Sequence, residues 1–204
     1  MKYTFTAFFA SFLLILATSL QAQSYAKKPS EISPVLTGST IPNSSLQTID
    51  GSLVNLENLI NKQATVLVFY HGGWCPFCNT HLAELQQIQQ KLVDMGYQIL
   101  AVSPDKPSNL KKSIKENDLD YTLLSDSSMK LARSFGLAFK SNNEEKRLTI
   151  EKSSGQKHHL LPVPSVFLVN PDGLITFQYV NPNSKTRINS DVLLTAAKAY
   201  HPNN

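Results

Sequence analysis

The sequence predicts an α/β domain with parallel strands at its core, and three observations carry that prediction. A continuous apolar, β-branched run at 65–70 (Thr-Val-Leu-Val-Phe-Tyr) leads directly to Cys75-Pro76-Phe77-Cys78 and then to a helical pattern. Such a run is what a strand buried on both faces requires. Strand-like and helix-like segments then alternate as far as Gly136, the order that builds parallel strands through right-handed crossovers. Finally, Asn170-Pro171-Asp172-Gly173 is a turn sequence between two apolar runs, which adds an antiparallel hairpin near the C-terminus. The 204 residues suffice for one well-cored domain, and no break in composition marks a second.

The elements follow in chain order. Residues 1–22 read as a secretory signal: Lys2 supplies the n-region charge, 7–17 an apolar stretch, and Leu20-Gln21-Ala22 precedes a polar start at Gln23. That apolar stretch is too short to span a bilayer, so an exported, periplasmic protein with no stable membrane insertion is expected. Residues 23–40, rich in Ser, Pro and Lys, read as an N-terminal arm, with the folded domain covering 41–204. Two short strands at 46–49 and 52–55 flank Asp50-Gly51, a strong hairpin signal. Beyond the cysteines, Leu82, Leu85, Ile88 and Leu92 recur at steps of three and four, an amphipathic helix that Gly96 stops. A strand at 97–102, a helix at 109–116, a strand at 121–124 and a short helix at 127–135 continue the alternation. Residues 141–159 are polar, charged and aperiodic and read as a long surface insertion. The hairpin strands fall at 165–169 and 174–179, and a last helix at 191–200.

Charge and cysteine content restrict function. The 19 Lys and Arg against 15 Asp and Glu give a net charge of +4, with no basic stripe interleaved with aromatics, so no nucleic-acid partner is expected. Only 2 cysteines are present, two residues apart. A disulfide between them would constrain almost no chain, so a structural bridge is a poor reading and redox or metal chemistry a good one. A thiol at a helix N-terminus is acidified by unpaired backbone N–H groups and the helix dipole, and a second thiol one turn on can attack any mixed disulfide that forms.

Trp74-Cys75-Pro76-Phe77-Cys78 between strand and helix, with Val163-Pro164-Ser165 before a late strand, resembles the thioredoxin-fold superfamily. Within it the likeness is to peroxiredoxin-like members of the alkyl hydroperoxide reductase/thiol-specific antioxidant (AhpC/TSA) family. The carriers are Phe69-Tyr70-His71-Gly72-Gly73-Trp74-Cys75-Pro76-Phe77-Cys78-Asn79, Val102-Ser103-Pro104, Leu124-Ser125-Asp126, Phe135-Gly136-Leu137 and Leu161-Pro162-Val163-Pro164-Ser165-Val166-Phe167-Leu168-Val169. The resemblance implies a thioredoxin-like fold, a central mixed sheet flanked by helices with an N-terminal hairpin extension. It also implies that Pro164 is cis and faces the active sulfur. The family's peroxidases place a hydroxyl residue three positions before the peroxidatic cysteine and an arginine just before the late hydrophobic strand. Here Gly72 stands three before Cys75, Cys75 three before Cys78, and Pro164 at the arginine position.

The reading preferred on these grounds is dithiol–disulfide exchange. Cys75 attacks a substrate disulfide and Cys78 releases the reduced product, with protein or small-thiol disulfides and a thiol reductant as partners. Cys75 is the nucleophile because it lies nearer the helix start, and Pro76 suits an early helical position that needs no N–H. His71 and His81 flank the pair as candidate proton carriers, and Trp74 as a shield for the disulfide. One alternative is a thiol-dependent peroxidase acting on hydroperoxides, in which one cysteine becomes a sulfenic acid that the other resolves. Another is a soft-metal metallochaperone that uses Cys75, Cys78 and His81, with His71 or with His158 and His159. No cofactor and no resident metal are expected on the first two readings.

Overall fold

The strand β3 (Ala64–Phe69) is buried at every position and organises the molecule, because its side chains alternate between two apolar layers. Ala64, Val66, Val68 and then Tyr70 enter one layer, while Leu67 and Phe69 enter the other. The computed structural model describes residues 25–202. The signal read over 1–22 lies outside them.

Nine strands and six α-helices are described: β1 (Ser45–Gln47), β2 (Leu53–Asn55), α1 (Leu56–Ile60), β3, α2 (Pro76–Asp94), β4 (Tyr97–Ser103), α3 (Pro107–Asn117), β5 (Thr122–Ser125), α4 (Lys130–Ser134), β6 (Ala138–Lys140), α5 (Glu144–Ser154), β7 (Leu160–Pro162), β8 (Ser165–Val169), β9 (Ile175–Val180) and α6 (Ser190–Ala199). Seven strands form one mixed sheet in the order β2-β1-β5-β4-β3-β8-β9. Within it β3, β4 and β5 run parallel, and β8 and β9 continue the sheet antiparallel. The expected α/β architecture with its N-terminal hairpin is therefore present; β1 pairs with β2 across the Asp50-Gly51 turn.

Each face of the sheet has its own helices. On the first, α2 presents Leu82, Leu85, Ile88 and Leu92, joined by Leu110 of α3 and by Leu193, Ala196 and Ala197 of α6. Tyr97 fixes α6 there by donating its hydroxyl to the Ala197 carbonyl at 3.1 Å. The second face carries α1 and α4 over Leu100, Val102 and Phe167. Phe167 packs edge-on against Phe135 and Phe69, at ring-centroid distances of 5.1 and 6.0 Å.

Two expectations need correction. The folded part does not begin at Ile41: Tyr25, Ile32 and Val35 of the arm pack on the second layer. The Ala26 N–H donates to the Ala138 carbonyl and the Lys140 N–H to the Ala26 carbonyl, both at 2.9 Å. Gly136 makes this possible, since a Cβ there would collide with the Ser33 carbonyl, and its φ of +65° is one that glycine adopts without strain. The second correction concerns residues 141–159, which are largely the helix α5 rather than a loop. Asn143 caps it, its Oδ1 accepting the Lys146 N–H at 3.0 Å, and Gly155 ends it. Ile150 is its one buried large apolar side chain, so no apolar stripe announces the helix.

Candidate active site

Parallel pairing of β3 with β4 sets Phe69 opposite Val102, so the segments leaving the carboxyl ends of both strands meet. That crevice is where open α/β sheets place their chemistry. From β3 come His71, Gly72, Gly73 and Trp74, and from β4 comes Asp105. The Asp105 Oδ2 accepts the Gly73 N–H at 2.7 Å, and the Asn79 side-chain amide donates to the Gly73 carbonyl at 2.9 Å. Gly72 has φ +137°, and a Cβ there would lie 2.7 Å from both the Asp105 carboxylate and Trp74 Nε1. The sharp turn therefore requires glycine, and it delivers the chain to Cys75, the N-cap of α2. Pro76 occupies the first helical position as the sequence suggests, with no N–H to leave unpaired.

Cys75, Cys78 and His71 converge: their sulfur and imidazole atoms lie within 4.8 Å of one another. Both cysteines are free thiols. Cys75 is 6% exposed and Cys78 fully buried, which makes Cys75 the sulfur an incoming molecule meets. Donation from the Cys78 thiol is the main cause that pulls the Cys75 pKa down, to about 4, against the opposing effect of burial. The His71 ring adds a hydrogen bond and its charge in the same direction. Cys78 shifts upward, because it donates to Cys75, is buried, and faces the charge Cys75 carries. One sulfur is thus held as thiolate and its neighbour as thiol.

Trp74 stacks on His71 with ring centroids 6.1 Å apart and planes 14° from parallel, and Phe139 meets the same imidazole edge-on. Pro164 is buried and lines a cavity of about 130 Å³ with His71, Phe139 and Leu161. The expectation of a cis peptide at Pro164 is corrected: among the described residues every peptide bond is trans. β7 pairs with β6 and β8 with β3, and between them the Val163 N–H donates to the Leu137 carbonyl at 2.9 Å. His81 lies outside the sulfur–imidazole group. It is 4% exposed and faces the crevice lined by Phe77, Glu84 and Arg187, where burial and then the Arg187 charge push its pKa down to about 4. Both effects disfavour its charged form. His158 and His159 are engaged elsewhere, with the Ser127 carbonyl at 2.7 Å and the Glu151 carboxylate at 3.1 Å.

Two residues of the site escaped the sequence reading. Arg187, from the segment between β9 and α6, donates Nη2 to Cys78 Sγ at 3.3 Å. Its Nη1 is anchored on the Ser184 and Thr186 carbonyls at 2.9 and 2.8 Å. A guanidinium therefore does stand at the sulfur pair, although Pro164 fills the position just before the late strand where the resemblance implies an arginine. Asp105 is the other; burial raises its pKa to about 6 in spite of the Gly73 N–H and the Ser153 hydroxyl. Its one signal in the sequence is a carboxylate just past the end of a parallel strand.

Known proteins agree with this architecture. Residues 37–178 match the AhpC/TSA family. Peroxiredoxin Bcp of Escherichia coli is 27% identical over 169 residues, covering 83% of this chain and 99% of that protein. Chloroplastic Peroxiredoxin Q of Gentiana triflora is 32% identical over 114 residues, covering 56% of this chain and 52% of that one. Xanthomonas campestris Peroxiredoxin Q superposes with a TM-score of 0.62 at 22% identity, over 78% of this chain and 91% of that one. Reduced Prx3 of Vibrio vulnificus, solved in complex with hydrogen peroxide, gives a TM-score of 0.68 at 18% identity, over 80% and 99%. Likeness at such identities speaks for the fold, while the family match spans most of the chain. This protein belongs to the AhpC/TSA family and is a peroxiredoxin-like oxidoreductase on a thioredoxin fold.

Proposed function

We propose that this protein is a thiol-dependent peroxidase with Cys75 as the peroxidatic and Cys78 as the resolving cysteine. The observation that carries the reading is an acidified Cys75 that is only 6% exposed beside a buried thiol. So small an opening suits the terminal oxygen of a hydroperoxide. A mixed disulfide with a folded protein would need the 71–75 turn to move first. Likeness to peroxiredoxins of the Bcp and Q types supports the same reading.

The Cys75 thiolate attacks the terminal oxygen of the hydroperoxide, the O–O bond breaks, and the alkoxide leaves with a proton as alcohol or water. Cys75 becomes a sulfenic acid. With the Cys75 charge gone and Arg187 beside it, Cys78 gives up its proton and attacks the Cys75 sulfur, and the departing hydroxide takes that proton as water, leaving the Cys75–Cys78 disulfide. Two electrons have then passed from the dithiol to the peroxide. An external dithiol restores both thiols, and this half of the cycle is the exchange chemistry that the Cys-x-x-Cys spacing suggests. Phe77, 45% exposed between the cysteines, and half-buried Trp74 offer that reductant an apolar contact. Exchange with protein disulfides as the main activity is the second reading, favoured by the lack of a hydroxyl at Gly72. Export through the leader read over 1–22 completes the proposal and sets the cycle in the periplasm.

Hydrogen peroxide consumption in the presence of dithiothreitol distinguishes the two. Catalytic turnover that disappears in Cys75→Ser is expected, with Cys78→Ser accumulating a sulfenic acid that dimedone traps. Ready reduction of insulin disulfides with peroxide consumed no faster than by a free thiol would overturn the peroxidase reading in favour of exchange.

A further inference from the structure

His71, Cys75 and Cys78 also form a compact set of ligands, and its chemistry selects a particular class of ion. Their donor atoms lie within 4.8 Å of one another. Ligands bound at about 2.1–2.3 Å around one ion in a plane stand about 4 Å apart, so little rearrangement closes the shell. Thiolates and imidazole are soft and borderline donors, which excludes calcium and magnesium. His71 is 4% exposed, its ring already directed at Cys75 and its Nε2 without a hydrogen-bond partner. Trp74 and Phe139 fix the plane of that ring.

Charge and coordination number then choose between a dication such as zinc and a monovalent d10 ion. Zinc in a closed protein site takes four ligands, and no fourth His, Cys, Asp or Glu joins this group among the described residues. The neighbour of Cys78 is instead Arg187, at 3.3 Å, a group that cannot ligate and that carries a positive charge. Two thiolates with a dication are neutral and would leave that half-buried guanidinium without a counter-charge beside Cys78. Two thiolates with a monovalent ion carry one negative charge, which Arg187 balances. We infer that the reduced protein binds one copper(I) or silver(I) ion in a three-coordinate shell formed by Cys75 Sγ, Cys78 Sγ and the His71 imidazole. Arg187 acts as the counter-charge. The metal replaces the Cys78 thiol proton, which passes to solvent, and also the proton that His71 directs at Cys75, which leaves the ligating ring nitrogen; no electron moves. Bound ion and Cys75–Cys78 disulfide exclude each other, so a soft metal takes the protein out of its redox cycle. The inference needs only the reduced pair and is independent of whether that pair meets peroxides or disulfides.

Anaerobic titration of the reduced protein with copper(I), in competition with bathocuproine disulfonate, tests it. One tightly held copper per chain is expected, retained against excess zinc and absent from protein oxidised with diamide. His71→Ala keeps both thiols and should weaken the complex by about tenfold or more. Equal affinity in His71→Ala and wild type, or equal binding by the disulfide form, would overturn the site. X-ray absorption at the copper edge on wild-type protein is independent of any variant's folding. Two sulfurs and one nitrogen in the shell are expected; a shell of two sulfurs alone, or of four ligands, contradicts the inference.

Discussion

Removing the Cys78 thiol should raise the pKa of Cys75 even though no charge is taken away. Donation from Cys78 is the largest cause of the low Cys75 value of about 4, ahead of the His71 hydrogen bond and charge. A hydrogen bond to an ionised partner contributes about 1.5–3 kcal/mol, or about one to two pH units. Cys78→Ala deletes that donor, so the Cys75 midpoint should rise by about one to two units while His71 keeps it below the ordinary thiol range. Cys78→Ser retains a donor of similar reach and should hold the midpoint near the wild-type value. Each variant contains one cysteine, since the chain has only 2, so the rate of alkylation by iodoacetamide against pH reports Cys75 alone. Coincident midpoints for the Ala and Ser variants would refute the hydrogen-bond origin of the shift. A midpoint near 8.5 in both would refute the part given to His71 as well.

Further outcomes follow from groups around the pair. Arg187→Met removes the charge that favours the Cys78 thiolate and should slow sulfenic-acid resolution by about ten- to a hundredfold, leaving its formation little changed; dimedone trapping at timed intervals reads both steps. Asp105 is pushed up to about 6 by burial, so its contribution to stability is fully present below the unfolded value near 3.8 and is lost as pH rises through about 6. Asp105→Asn cannot titrate and should gain about 2 kcal/mol relative to wild type between pH 4 and pH 8 in urea unfolding of the reduced proteins; parallel profiles would contradict this. Gly136→Ala forces a Cβ into the Ser33 carbonyl at a positive φ and should cost about 1–3 kcal/mol in urea unfolding, of which the clash with the arm, but not the positive-φ strain, is absent once residues 1–35 are deleted.

What the sequence reveals depends on whether a local pattern exists to be read. β3 and α2 are legible because one is apolar throughout and the other repeats Leu82, Leu85, Ile88 and Leu92 on one face. Cys75, Cys78 and His71 follow directly, being a few residues apart at their junction. α5 is hidden because only Ile150 among its large apolar residues is buried, while Leu148 is 62% exposed; its caps at Asn143 and Gly155 were the available signal. β6 and β7 have three residues each, too short for any period to show. The docked arm rests on Gly136 and on hydrogen bonds to β6, long-range contacts that its polar composition conceals. Arg187 is 109 positions from Cys78 and lies in an aperiodic stretch, so the tertiary fold alone assigns it to the site. For His81, helical spacing alone could not reveal that burial and the Arg187 charge push its pKa down to about 4.

The central claim is that the Cys75 thiolate is a peroxide-reactive nucleophile that Cys78 resolves. The protein's 1 tryptophan, Trp74, stacks on His71 beside that sulfur and provides a signal for it. Stopped-flow Trp74 fluorescence of the reduced protein mixed with hydrogen peroxide should show two phases. The first should have a rate proportional to peroxide, far above that of free cysteine, and the second should be independent of peroxide and absent in Cys78→Ser. A single slow phase no faster than free cysteine, with both thiols still titratable afterwards, would contradict the account.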